Sequence, residues 1–271
     1  MRDQGDPRLP QRWADGADGL HRLRDEQGSP LLIKRRHHAA PGFFAAEARG
    51  LAALAATGGL RTPRVYACAD SAICMEDLGN GSAKESDWRN AGAALAVQHA
   101  RRGPAFGFAH PGFIGDSPQD NGWLEDGHGF FVERRLLPQA RRARDRGLLG
   151  RGESQQIDQL CGRLATLLPT AEPVLLHGDL WLGNLHACAG GELALIDAGA
   201  AHYGWAETDL AMLTLFGAPP AAFFAAYEEA SGRRDWRERA PVLNLYHLLN
   251  HLNLFGAGYL PEVRAVLRRY R

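Results

Sequence analysis

The chain has 271 residues, 45% of them hydrophobic and 23% charged, which is ordinary globular usage with enough apolar material for one large domain or two packed lobes. Lysine plus arginine total 31, as do aspartate plus glutamate, so no overall field draws the chain to nucleic acid or an anionic membrane. The opening MRDQGDPRLPQRW has no apolar signal core, and no apolar run is long enough to cross a bilayer, so a cytoplasmic protein is expected.

The first 36 residues are polar and glycine-rich until SPLLIKRR, where Leu31, Leu32 and Ile33 predict a short buried strand ending on Lys34. FFAAEARGLAALAA, from Phe43 to Ala56, has helical spacing and is stopped by Gly58 and Gly59. RTPRVYACAD and AICMEDLG predict two further strands turning around Asp70 and Ser71. After Gly79 and Gly81 the pattern changes. DWRNAGAALAVQHARRG predicts an amphipathic helix, a loop rich in Gly, Pro and Asp follows, and FFVERRLLPQARRARDRGLL resumes helical periodicity. ESQQIDQLCGRLATLLP predicts one helix closed by Pro169. LLHGDLWLGN then opens as the exit from a buried strand, LHACAGGELALID predicts a hairpin turning at Gly190 and Gly191, and helices run from there to the C-terminus. A small α+β lobe therefore precedes a large, mostly helical one, with the change near Leu78 to Ser82. The four cysteines, Cys68, Cys74, Cys161 and Cys188, show neither a CxxC pair nor zinc spacing.

Asp179 and Asn184 stand five positions apart after the buried strand, and Asp197 ends ELALID. If the Gly190–Gly191 hairpin forms, Asn184 and Asp197 return to one end of it. Hard oxygen donors gathered this way suit Mg²⁺, which keeps waters and takes one or two protein ligands plus substrate phosphates. An Asp, then an Asn five positions on, then an Asp opening a short glycine-containing loop is the order of kinase-type phosphotransferases. In that chemistry Asp179 is the base toward the attacking hydroxyl, and Asn184 and Asp197 are the metal ligands. Lys34, at a strand end, is placed to reach the α/β-phosphates of ATP, Glu47 in the next helix is its partner, and the main chain from Glu76 to Leu78 is placed for an adenine edge. His177 and Asp209 are expected to be buried anchors of the catalytic loop rather than reacting groups. His37 and His38 are discounted as metal ligands because no third ligand is evident.

HGDLWLGN from His177, IDAG from Ile196, YGWAETDLAMLTLFG from Tyr203, GDSPQDNGW from Gly115, FFVERRLLPQ from Phe130 and NHLNLFG from Asn250 together resemble the fructosamine kinase (ketosamine kinase) family. That family is a branch of the aminoglycoside phosphotransferase and choline kinase-like fold. The resemblance covers about Leu31 to Tyr259. It implies an α+β, bilobal protein kinase-like fold: residues 1–78 as a nucleotide-binding lobe with an antiparallel sheet and one main helix, and residues 79–271 as a helical catalytic and substrate lobe. It also implies an ATP- and Mg²⁺-dependent kinase that phosphorylates a sugar hydroxyl of a ketosamine, free or protein-linked, in deglycation. Trp181 separates this family from aminoglycoside kinases, and its flat face is a candidate surface for the sugar ring.

Three departures stand out. ADGADGLHRLRDEQG, where the phosphate-covering loop belongs, offers only Gly16 and Gly19; IDAG has alanine where the family commonly has proline; and Leu182 replaces a small or polar residue. Two other readings therefore stay open. One is a kinase of another small alcohol, aminoglycoside- or choline-like, and the other is a nucleotide-binding pseudokinase.

Overall fold

A computed structural model of the protein describes residues 13–271; the signal-free reading of the N-terminus falls mainly on residues 1–12, outside them. The chain enters a four-stranded antiparallel sheet of order β1-β2-β4-β3, formed by β1 (Gly19–Arg24), β2 (Pro30–Arg35), β3 (Val65–Cys68) and β4 (Ala72–Glu76). Between β2 and β3 lies helix α1 (Phe43–Ala55). The β1–β2 turn is built by Asp25, whose Oδ1 accepts from Gln27 N at 2.9 Å and Ser29 N at 2.7 Å.

Strand β2 shows why this sheet makes half of a cleft. Successive side chains alternate between faces, so Leu31 and Ile33 are buried beside Trp13, Ala67 and Cys74. Leu32 and Lys34 share the opposite face, which lines the cleft. Strand β1 is a correction to the expected strand, helix, strand, strand order. All but one of its residues are exposed, so GLHRLR carries no buried apolar stripe, and an edge strand of that kind leaves no signal in the sequence.

The rest of the chain is mainly helical. Helix α2 (Glu85–Gln98) is followed by a hairpin of β5 (Gly112–Ile114) and β6 (Ser117–Gln119), where a loop was expected. Three-residue strands are too short for alternation to reveal. Helices α3 (Gly127–Phe131) and α4 (Leu137–Asp145) flank a π-helical turn at Val132–Leu136. Pro138 at the start of α4 has no N–H to give the preceding turn, which favours such an irregularity. The single helix expected up to Pro169 is interrupted: α5 (Arg151–Gly162) ends on a glycine, and the short α6 (Leu164–Leu167) follows.

Strand β7 (Val174–Leu176) is wholly buried, β8 (Leu185–Ala187) and β9 (Leu193–Leu195) form the hairpin read from the two glycines, and β10 (His202–Gly204) pairs antiparallel with β7. Helices α7 (Ala206–Met212), α8 (Ala221–Ser231), α9 (Trp236–Phe255) and α10 (Leu260–Arg269) complete the chain. From Val242 to Asn250, α9 is buried all round, as expected of a helix through the middle of a lobe. Helices α2 and α8 approach so closely at Gly92 that a methyl there would sit 2.0 Å from the Phe223 carbonyl oxygen. These helices form the base on which the β7–β10 and β8–β9 pairs present their loops toward the sheet. Among the described residues no helix is long and apolar enough to cross a membrane.

Candidate active site

The loop after β7 is fixed from below by buried charge. Asp209 in α7 accepts from His177 N at 2.8 Å through Oδ2 and from Gly178 N at 2.9 Å through Oδ1. Its Oδ2 also meets His99 Nε2 at 3.3 Å, and His99 Nδ1 meets the Tyr227 hydroxyl at 2.9 Å. Burial opposes ionisation of Asp209, but His99 and the loop amides hold its carboxyl below the usual range. His177 Nε2 donates to the Ile196 carbonyl at 2.8 Å, leaving Nδ1 to accept from Asp179 N at 3.3 Å. Both ring nitrogens are thereby committed to tying the Asp179 loop to the strand that leads to Asp197. His177 and Asp209 are therefore structural anchors.

Glycine is required at one point of this loop. Gly178 has φ 83°, and a methyl on it would lie 2.2 Å from the Ala200 carbonyl oxygen. Beyond it, Leu182–Asn184 makes a 3₁₀ turn in which Asn184 Nδ2 donates to the Asp179 carbonyl at 2.8 Å. That bond fixes the carboxamide so that its oxygen is the end left for a ligand. Ile196 N donates to the Asn184 carbonyl at 3.2 Å. Asp197 follows with φ 59°, the one non-glycine residue with positive φ among those described, an uncommon backbone state maintained by its surroundings.

These pieces line one cavity of ≈ 170 Å³, with Lys34, Phe43, Glu47, Asp179, Trp181, Asn184 and Asp197 on its walls. Lys34 Nζ lies 3.1 Å from Glu47 Oε2 and 2.8 Å from Asp197 Oδ1. Burial works against the charge on Lys34, yet the two carboxylates hold its ammonium above the usual lysine value. Burial likewise pushes Glu47 up, against the pull of Lys34. The half-exposed Asp197 goes the other way: burial opposes its charge, but Lys34 holds it below the ordinary range. Asp179 is raised to about 6, chiefly by burial, with the neighbouring Asp197 and Asp209 carboxylates adding to the effect.

A second cavity, of ≈ 270 Å³, continues the cleft and is lined by Leu20, Leu32, Met75, Glu76, Leu78 and Ile196, among others. The two are consecutive because Leu32 precedes Lys34 by one pleat and Ile196 adjoins Asp197. The expected main-chain edge at Glu76 to Leu78 lies on this second cavity, and part of it is already in use. Glu76 N donates to Arg64 O at 2.8 Å and the Leu78 carbonyl accepts from Ala189 N at 2.9 Å.

Several residues at the site were not legible in the sequence. The segment after Asp197 is gripped from three sides: α1 through Gly50, where a methyl would lie 1.9 Å from the Ala198 carbonyl oxygen; β5 through Phe113 N, which donates to Gly199 O at 2.9 Å; and Gln119, whose Nε2 donates to Ala200 O at 3.0 Å. The β5–β6 turn also reaches the sheet. Asp116 pairs with Arg36 through both terminal guanidinium nitrogens, and the Phe43 and Phe113 rings meet edge to face at 5.3 Å. GDSPQDNGW was the available signal for this, since its length and acidic Asp116 mark the turn, but nothing local to it names Arg36.

The chain entering β1, with Gly16 at φ 126° and the first strand residue Gly19 at φ 120°, is tied down by Asp18, which accepts from His37 N at 2.7 Å and pairs with His37 Nδ1 at 2.5 Å. This pairing occupies His37. Among the described residues no group of three or more His, Cys, Asp or Glu side chains is placed to hold a metal ion.

The family model for fructosamine kinase matches residues 17–271. A probable ketoamine kinase of Synechocystis sp. is 38% identical over 233 residues, 84% of this chain and 78% of that protein. The chloroplastic protein-ribulosamine 3-kinase of Arabidopsis thaliana is 32% identical over 252 residues, 89% of this chain and 76% of that one. A crystal structure from Thermobifida fusca superposes with a TM-score of 0.85 at 35% identity, covering 92% of this chain and 88% of the other. The architecture is the bilobal α+β protein kinase-like fold, and the chain belongs to the fructosamine kinase family.

Proposed function

We propose that the protein phosphorylates a sugar hydroxyl of a ketosamine, an amine-linked ketose such as a fructosamine or ribulosamine. As a member of this family it is a kinase, with ATP as phosphate donor. The names ketoamine kinase and protein-ribulosamine 3-kinase carried by its relatives support the acceptor class. The observation that carries the reading is the gathering of Lys34, Glu47, Asp179, Asn184 and Asp197 on one cavity. A pseudokinase scaffold needs none of these groups in register.

In this reading Asp179 accepts the hydrogen bond of the acceptor hydroxyl and orients its oxygen toward the γ-phosphate. Alignment is the larger part of its contribution, because phosphoryl transfer passes through a loose transition state. Lys34, steadied by Glu47, binds phosphate oxygens. Leu32, Met75 and Ile196 sandwich the adenine. The Leu78 carbonyl is taken, so its N–H is the hinge group offered to the adenine edge. Segment 14–18, pinned by Asp18, is the cover over the phosphates. Trp181, 40% exposed at the mouth of the site, offers a face to the ketose ring.

Mg²⁺ fits the donor set. The Asn184 carboxamide oxygen and the Asp197 carboxylate are one neutral and one ionised hard donor, and among the described residues no all-protein cage of acidic or imidazole ligands competes. That is the small protein share expected of an ion carried in on a triphosphate, where it would neutralise developing phosphate charge. Lys34 and Asp197, now paired, would then divide between phosphate and metal.

The test is ADP release with Mg-ATP and a panel of alcohols. Turnover of fructose- or ribulose-linked amines, lost in Asp179→Asn, is the expected outcome. Efficient turnover of an aminoglycoside or choline with ketosamines ignored would overturn it.

A further inference from the structure

Beside the cavity, but outside its walls, four rings form one cluster. His251 lies 4.5 Å from Phe216, 5.2 Å from Tyr259 and 5.4 Å from Phe255, centroid to centroid. Phe255 and Tyr259 meet at 6.0 Å and Phe216 and Tyr259 at 6.2 Å. For apolar rings, two of them are unusually open to solvent: Phe255 is 66% and Phe216 37% exposed.

The residues next to two of these rings meet the elements of the catalytic cavity at two points. A methyl on Gly217, beside Phe216, would touch Leu182 of the catalytic loop at 3.7 Å. One on Gly115, which lines the cavity with Asp179, would meet Leu254, beside Phe255, at 3.0 Å. The chain that carries the rings therefore packs against the Leu182 side of the catalytic loop and the Gly115 wall, at the end of the cleft away from Leu32 and Met75.

A ketosamine has two dissimilar ends. The hydroxyl-rich ketose must reach Asp179 to react, so the carrier bonded to its nitrogen projects outward past the rim. We propose that Phe216, Phe255 and Tyr259 form a carrier subsite that takes an apolar alkyl or aryl stem on the amine, a conclusion that rests on the ketosamine reading. Apolar stems gain by covering the open rings. An ammonium at the sugar linkage is compatible with ring faces, whereas a carboxylate one carbon from the nitrogen would meet the negative side of the ring quadrupole. Burial lowers the pKa of His251, whose Nδ1 hydrogen-bonds the His247 carbonyl at 2.8 Å. The cluster therefore offers no cation to offset such an anion.

The experiment compares fructose carried on hexylamine with fructose carried on glycine, as the ratio of kcat/KM values with Mg-ATP. The expected ratio is about tenfold or more in favour of hexylamine, the usual scale for apolar pocket discrimination. Phe255→Ala and Phe216→Ala, both at exposed positions that tolerate truncation, should each bring that ratio toward one. A ratio near one in the unaltered enzyme, or a preference that survives both substitutions, overturns the carrier subsite alone. Absence of turnover with either compound overturns the ketosamine reading and the subsite with it.

Discussion

The two halves of the cleft are built on opposite physical terms. The half proposed for the nucleotide, around Leu32, Met75, Leu78 and Ile196, is shaped mainly by apolar side chains on β2, β4 and the segments that follow β4 and β9. The half proposed for phosphate and acceptor, around Lys34, Glu47, Asp179, Asn184 and Asp197, keeps charges partly out of water and balances them against one another. Apolar contacts are nondirectional and divide into many small increments, so the first half should tolerate change by degrees. Partly buried charge acts through single partners at fixed distances, so in the second half one atom decides. The two halves touch at β2, where a single pleat separates Leu32 from Lys34.

The sharpest break of this contrast is Asp179→Asn. It should lower kcat by about 10²–10⁴-fold, the range for a positioned acid or base, measured as ADP release. The same variant should not lose stability. A carboxyl lifted from 3.8 to about 6 binds its proton more tightly in the folded state. Its burden on stability is therefore absent at low pH, grows as pH rises from about 4 to about 6, and is complete above that. Removing the charge should return up to about 3 kcal/mol at pH 7, less whatever solvent screening already relieves. A rise in Tm alongside lost turnover is expected; a fall in Tm would mean that Asp179 holds the fold together.

Next comes Gly50→Ala, which leaves every charge in place. Its methyl collides with the Ala198 carbonyl, so α1, carrying Glu47, must lift from the loop carrying Asp197. Misplacement on the scale of 1 Å costs about 10²-fold, which should appear in kcat/KM for ATP, with an overpacking loss of about 1–3 kcal/mol in denaturant titration. Equal activity in this variant would show that the two elements need not touch.

Acidification should act on the polar half as well. If Asp179 is the proposed base it must be ionised to accept a proton, so kcat/KM for the sugar acceptor should fall about tenfold per unit as pH drops below about 6. In Asp179→Asn that limb should vanish from the residual activity. The smallest effect belongs to the apolar half: Leu32→Val removes one methylene from the wall, about 0.8 kcal/mol. It should raise KM for ATP about fourfold with kcat unchanged, the pattern of lost uniform binding. A large fall in kcat there would erase the distinction between the halves.

Much of the polar half could be read from residue order alone, because its donors sit in short stretches with fixed spacing, on elements whose periodicity is clear. Lys34 is the next-to-last residue of an apolar strand, Glu47 sits inside an alanine-rich helix, and Asn184 and Asp197 flank a hairpin announced by Gly190 and Gly191. Strand β1 left no such trace, since an edge strand exposed on both faces has no reason to alternate. The β5–β6 hairpin left none either, its strands being three residues long.

What the amino-acid order determined by itself is therefore the inventory: which side chains carry charge, on which kind of element, and in what succession. What only tertiary structure decided is how closely backbones approach. Gly50 against Ala198, Gly178 against Ala200, Phe113 against Gly199 and Arg36 against Asp116 join residues far apart in the chain. Local propensity reports a residue's preference for its own neighbours, whereas these contacts depend on where two separately stabilised elements come to rest, which no window of sequence contains.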